Sequence, residues 1–287
     1  MVVDVSIHNG AINWQKAKEA GVKGALIRCG YGRDFTKYDD ANYSANMEGA
    51  LAVGIKVGVY LYSYAKDITG AISEAEHALR LLAPYKGKLS LPVFYDVEEE
   101  DRAEGVVARV KVFCQMLRNA GYKVGVYANL HWWTTYLSSL DTTGLYVWLA
   151  KWGGDLPSFR APIDIWQYDA YGRVPGIGSG VDMDKVYGEL ADIVNGVTPT
   201  PTPTPTPGGY IMVKTTLIKK GDKGDNVFSV QAILKAKGYK GKNGKVLALD
   251  SSFGGNSEYA TMSFQKENGL KVDGIVGAET WDKLING

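Results

Sequence analysis

GIKVGVYLY at residues 54–62 returns as GYKVGVYAN at 121–129. In both copies a glycine ends a helical stretch, a lysine follows, and a β-branched and aromatic run begins. A chain that repeats this unit is restricted to parallel β/α packing, because each strand needs a helix to carry the chain back. Further strands are expected at 24–30 (GALIRCG), 91–98 (LPVFYDVE), 145–152 (LYVWLAKW) and 164–168 (DIWQY). Val106, Val110, Phe113 and Leu117 recur at helical spacing between two of them. Gly21, Gly54 and Gly121 stand where a left-handed residue would close a helix. About eight strands over roughly 190 residues favour a closed α/β barrel over an open doubly wound sheet. No GxGxxG follows the first strand, which argues against a dinucleotide site.

The barrel pattern stops at TPTPTPTPTP, residues 198–207, which holds five of the ten prolines. Alternating proline excludes helix and sheet, so this stretch is expected to be an extended spacer of about 30 Å. The expected division is a barrel at 1–195, a linker at 196–209 and a small helical domain at 210–287. In that last part, VFSVQAILKAKG (227–238) and YATMSFQKENG (259–269) are amphipathic. The turns DSSFGGNS (250–257) and DGIVGAET (273–280) resemble each other, with Ser257 and Thr280 expected to N-cap helices. Met212 could start a separate C-terminal fragment. The net charge of +1 divides into −3 over 1–195 and +4 over 196–287. The basic excess of the tail suits a polyanionic partner.

Cys29 and Cys114 are expected to be buried free thiols. The N-terminus lacks a basic and apolar leader, and no run is long enough to span a membrane.

VFYDVEEED, residues 93–101, carries the chemistry. On a strand, Asp96 and Glu98 share a face while Val97 packs opposite, their backbones about 6.5–7 Å apart. Two neighbouring anions raise one pKa and keep a proton available near neutrality. A glycosidic bond needs such an acid on its leaving oxygen and a second carboxylate near the cationic transition state. Glu99, Glu100 and Asp101 read instead as anions before a helix starting near Arg102. Asp4 and Asp182 lie on the first and last strands, neighbours in a closed barrel, and should reach the same rim. Asp184 reads as a turn or capping residue. Tyr60, Tyr62, Tyr127, Trp148, Trp152, Trp166 and Tyr168 cluster at strand ends, where rings can stack on sugars. Tyr60, Tyr62 and Trp166 are the ones expected to be exposed.

Taken in order, DVSIHNGAINWQKAKEAGVKGALIRCGYG (4–32), Asn46 with Gly54 and Tyr60, FYDVE (94–98), VGVYAN (124–129), WQY (166–168) and GVDMD (180–184) resemble glycoside hydrolase family 25. That resemblance implies a flattened, irregular β/α barrel and a muramidase cutting the β-1,4 bond from N-acetylmuramic acid to N-acetylglucosamine. It implies Glu98 as general acid, supported by Asp96, Asp4 and Asp182. Tyr60, Tyr62, Tyr127, Trp166 and Gln167 would contact substrate. Asp96 would either attack directly or orient the sugar's acetamido group, with retained configuration in both cases. Leu61 and Tyr62 depart from the family's usual His-Phe. The C-terminal segment resembles a peptidoglycan-binding helical module, through Gln231, Leu234, Asp250, Phe253, Phe264, Gln265, DGIVG (273–277), Thr280 and Trp281. There Ser251 replaces the usual glycine. The layout resembles a phage endolysin, made in the cytoplasm and released to the wall through a holin.

No metal or other cofactor is implied, and peptidoglycan is the expected partner rather than nucleic acid or membrane. A zinc amidase lacks its ligand spacing, since His8, His77 and His131 form no HExxH. A cysteine peptidase lacks a base beside either thiol. A chitinase would carry a longer DxxDxDxE signature. A non-catalytic wall lectin on a decayed barrel is the rival of a different class, disfavoured by all four rim acids being present.

Overall fold

The computed structural model describes residues 1–197 and 217–286. The stretch expected to form a spacer, 198–207, and Met212 lie outside these residues. The first part runs β1 (Val2–Val5), α1 (Trp14–Glu19), β2 (Gly24–Tyr31), α2 (Tyr43–Ala52), β3 (Lys56–Tyr62), α3 (Ile68–Leu82) and β4 (Val93–Asp96). It continues through α4 (Val106–Asn119), β5 (Val124–Asn129), α5 (Leu130–Thr134), β6 (Tyr146–Ala150), β7 (Ile165–Gly172), β8 (Val181–Val186) and α6 (Gly188–Asn195). The strands close into a barrel in chain order.

Neighbouring strands from β1 to β7 pair in parallel, but β8 runs antiparallel to both β7 and β1. The connection at 173–180 explains this departure from a uniform β/α repeat. It contains no helix, and a parallel return needs a dozen residues or more. Six of the strands were legible from their apolar runs, and Gly21, Gly54 and Gly121 do take positive φ.

Alternation along the strands builds two apolar layers. Val2, Leu26, Tyr60, Phe94, Tyr127 and Trp148 fill the barrel, while Val3, Ile27, Tyr95 and Val126 face the helices. The glycine inside each KVGVY copy has a packing reason. A Cβ on Gly125 would stand 2.4 Å from the Phe94 ring, and one on Gly58 would stand 2.8 Å from Leu91. The repeat therefore reserves room for large residues of β4 and the segment before it. Cys29 and Cys114 are buried and unbridged.

The second part holds α7 (Asp225–Ala236), α8 (Gly255–Glu267) and α9 (Ala278–Asn286). Its duplicated turns are organised by two glutamines rather than by N-caps. Gln231 Nε2 donates to Asp250 Oδ1 at 2.8 Å and to Ser257 Oγ at 3.0 Å. Gln265 Nε2 donates in the same way to Asp273 Oδ1 at 3.0 Å and to Thr280 Oγ1 at 3.2 Å. Ser257 and Thr280 are thus buried third residues of their helices, not the caps expected from sequence.

The two turns differ at one backbone position. Gly274 has φ 71°, and Ser251 at the equivalent place has φ 57°, the only positive value among described non-glycine residues. A left-handed side chain is strained, whereas glycine is not. Ser251→Gly should therefore stabilise this module by about 0.5–1 kcal/mol, after allowing for glycine's larger unfolded-state entropy. A higher urea midpoint for the module's transition would show it; a lower one would contradict it.

Candidate active site

The carboxyl end of the barrel gathers acids from three strands. Asp4 on β1 pairs in register with Asp182 on β8, which places both side chains on the same, inward face. The same alternation carries Asp184 inward beside Val2 and Gln167. Across the barrel, Asp96 ends β4 between Tyr62 and Tyr127. Glu98 lies just beyond the strand. The Val97 amide still donates to the Tyr127 carbonyl at 3.0 Å, so Val97 packs outward and Glu98 keeps the inward parity.

These acids differ in burial. Asp4, Asp96 and Asp184 are buried, and Glu98 and Asp182 are partly accessible. Among the buried three, Asp4 Oδ1, Asp96 Oδ1 and Asp184 Oδ2 have no hydrogen-bond partner. Burial pushes all three carboxyls well above the usual range. Asp182 raises Asp4 further, Glu98 raises Asp96, and Asp4 raises Asp184. Arg28 opposes the shifts of Asp4 and Asp96, with its Nε held 2.9 Å from Asp40 Oδ2. Of the accessible pair, burial followed by the charges of Glu99 and Asp182 lifts Glu98 to about 7. Burial and Asp169 lift Asp182 to about 6. At neutral pH the rim thus offers one carboxyl that is about half protonated and another that has mostly lost its proton.

A polar relay braces the buried acids. Gln167, only 1% exposed, donates from Nε2 to Asp4 Oδ2 at 3.0 Å. Its Oε1 accepts from the Tyr127 hydroxyl at 3.1 Å and from Trp152 Nε1 at 3.0 Å. Trp148 Nε1 donates to Asp184 Oδ1 at 2.9 Å, and its ring meets Tyr60, Phe94 and Tyr127 edge-on.

Several expectations change here. Tyr60 is buried, not exposed, although it faces the acids. Trp166 is also buried, on the outer face of β7, with Nε1 donated to the Lys151 carbonyl. Its neighbours Ile165 and Gln167 point inward, so Trp166 cannot. Gln167 is spent on Asp4, Tyr127 and Trp152 rather than facing open space. Tyr62 is half-buried, and its hydroxyl donates to Glu99 Oε1 at 2.7 Å. Glu99 is therefore part of the rim, paired also with Arg102, rather than a helix-start anion. A short 3-10 turn covers Glu100–Arg102, and the helix itself begins at Val106. Asp184 is a buried interior acid, not a cap.

The sequence reading missed Arg28, an inward charge two residues after Leu26 on a strand, and that parity was its available signal. It also gave no rank to Trp152, which is 60% exposed at the end of β6. With its indole nitrogen tied to Gln167, Trp152 is the accessible ring connected to the site. A separate cavity of about 410 Å³ lies at Trp133, Phe159 and Arg160 and contains no carboxylate. Among the described residues no group of three His, Cys, Asp or Glu is placed to hold a metal ion. Likewise, no described helix is long and apolar enough to cross a membrane.

Comparison with known proteins gives the family of the barrel and of the C-terminal part. Residues 3–177 match Glycosyl hydrolases family 25, and residues 223–284 match a peptidoglycan binding domain. The chain is 28% identical to the autolytic lysozyme of Clostridium acetobutylicum over 97% of its own length and 76% of that protein's. It is 29% identical to lysozyme M1 of Streptomyces globisporus, covering 67% of this chain and 69% of the other. Among solved structures, the catalytic domain of endolysin ply40 from a Listeria monocytogenes bacteriophage superposes with TM-score 0.58 at 28% identity. That match covers 68% of this chain and 95% of that one. The chain therefore belongs to glycosyl hydrolase family 25, as a muramidase-type glycoside hydrolase with a C-terminal peptidoglycan-binding domain.

Proposed function

We propose that the enzyme hydrolyses the β-1,4 bond from N-acetylmuramic acid to N-acetylglucosamine, with Glu98 protonating the leaving oxygen. The observation that carries this reading is a partly accessible carboxyl held near pKa 7 beside the buried Asp96, with which it interacts. Asp182, ionised at neutral pH, stabilises the positive charge that develops on the sugar. Asp96 is too buried, and its pKa too high, to be a good free nucleophile. That environment favours orienting the substrate's own acetamido group for attack, with net retention. Gln167 holds Asp4 in place, and Trp152 and Tyr62 meet the sugars.

Digestion of purified cell wall tests the bond. New reducing ends on muramic acid are expected. Reducing ends on glucosamine would replace the reading with a glucosaminidase, and an absence of products would favour a wall lectin.

The pH profile tests the acid. Glu98 works only while protonated, so kcat/KM should fall as pH rises through about 7. Glu99→Gln removes the neighbouring charge that raises Glu98 most, which eases its ionisation and should move that limb to lower pH. An unmoved limb would take Glu99 out of the site's electrostatics.

The likeness to a phage endolysin's catalytic domain supports a role in host lysis; on that reading the enzyme would be delivered from the cytoplasm through a holin pore. The division into a catalytic barrel at 1–195, a spacer at 196–209 and a wall-binding module at 210–287 belongs to the same proposal.

A further inference from the structure

Helix α7 is covered on every side. Each residue from Ser229 to Leu234 is at most 1% exposed. A helix of a small three-helix module needs one apolar stripe, and its far side is ordinarily wet. Gln231 marks the side turned into its own module, through Asp250 and Ser257. At 100° per residue, Ser229 and Ile233 point nearly the opposite way, yet both are buried. What covers them is the barrel, because α7 lies against α3 and α4.

The barrel side shows the same cover. Phe113 of α4 stacks on Tyr95 of the sheet with ring centroids 4.0 Å apart, which fixes the sheet-facing side of that helix. Ala108, Lys111 and Gln115 lie on its far side, normally the wettest part of a barrel helix. None of them is exposed, and neither is any other residue of α4. From α3, Ile72 is buried and Glu76 is half-buried. Burial raises the Glu76 carboxyl, and Lys237, just past the end of α7, opposes that shift. Small residues stand on these sides, Ala108 on α4 and Ser229 and Ala232 on α7, and small side chains let helices approach closely.

We infer that the C-terminal module works seated on the α3–α4 flank of the barrel, with its own α7 as the partner helix. The connection at 198–216 does not dictate this seat. Extended at about 3.1 Å per residue it could reach roughly 60 Å, so the module could lie against many faces. The side chains select one. The two helices of the seat flank β4, which leads into Asp96 and Glu98, so a module gripping the wall would hold the acidic rim at a fixed distance from it. This functional half rests on the proposed wall hydrolysis, whereas the docking itself does not.

Backbone 15N relaxation on the full chain tests the docking, with one rotational correlation time expected for both parts. Ala232→Arg disrupts the seat from the module and Ala108→Arg from the barrel. Each should split the motion into two times and lower activity on intact walls several-fold, leaving turnover of a short soluble glycan unchanged. If Ala232→Arg unfolds the module, Ala108→Arg still gives the answer. Two times in the wild-type chain would overturn the docking. A single time surviving Ala108→Arg would overturn the α3–α4 seat. Split motion with undiminished activity on walls would overturn the functional coupling. A wild-type chain that fails on the soluble glycan as well would strike at wall hydrolysis instead.

Discussion

Glu98→Gln should lose turnover by about 10²–10⁴-fold and at the same time melt at a higher temperature than wild type at pH 8. The first effect follows from removing the proton donor, since general acid catalysis contributes about 10²–10⁴-fold. The second follows from what the site costs. Folding raises the Glu98 pKa from 4.5 to about 7, so between those values the native state binds more proton than the unfolded chain does. Stability therefore falls as pH rises through this window. Above pH 7 the penalty is about 3 kcal/mol, and below about pH 4.5 it vanishes. Glutamine carries no such penalty, so the gap in melting temperature should close on acidification. Thermal melts at pH 5 and pH 8, beside turnover on soluble wall fragments, check both effects. Near-wild-type turnover would refute the acid assignment.

Asp96→Asn should act similarly. Asparagine keeps the shape of a side chain packed between Tyr62 and Tyr127 but cannot carry charge. Turnover should fall on the order of 10²–10³-fold, mainly in kcat, because an amide cannot give up a proton and turn anionic as positive charge develops on the sugar. Burial and the charges of Glu98 and Asp4 raise the Asp96 carboxyl, so its native state also holds a proton that the unfolded chain releases. The variant should consequently gain stability at neutral and alkaline pH and show no gain in acid. Rising KM with unchanged kcat would mean that Asp96 only binds substrate. Lower stability at pH 8 would mean that its charge is well solvated, against the burial seen here.

Much of this was readable because a barrel turns sequence parity into geometry. The DVE triplet put Asp96 and Glu98 on one face, and closure brought β1 to β8, so Asp4 and Asp182 converge as expected. Parity alone does not say which face is the inner one, and that is why Trp166 was expected at an open surface. Its neighbour Gln167, anchored to Asp4, settles the matter. Asp184 was misread for a related reason. An aspartate two residues after Asp182 resembles a turn residue unless the strand is known to continue to Val186. Exposure at the rim depends on loops from several strands, which no local pattern records, so Tyr60 and Trp152 could not be sorted by sequence. The roles of Gln231 and Gln265 were hidden differently: a glutamine within an amphipathic helix looks like surface until the turns it ties are in place.

The most direct measurement is a 13C NMR titration of the glutamate carboxyl carbons, with the Glu98 signal assigned by its absence in Glu98→Gln. A midpoint near 7 is the expected result, signifying a proton retained at the mouth of the barrel under working conditions. A midpoint in the ordinary range of about 4–5 would mean that the side chain is an ionised surface group, and the acid at the centre of this enzyme would have to be sought elsewhere.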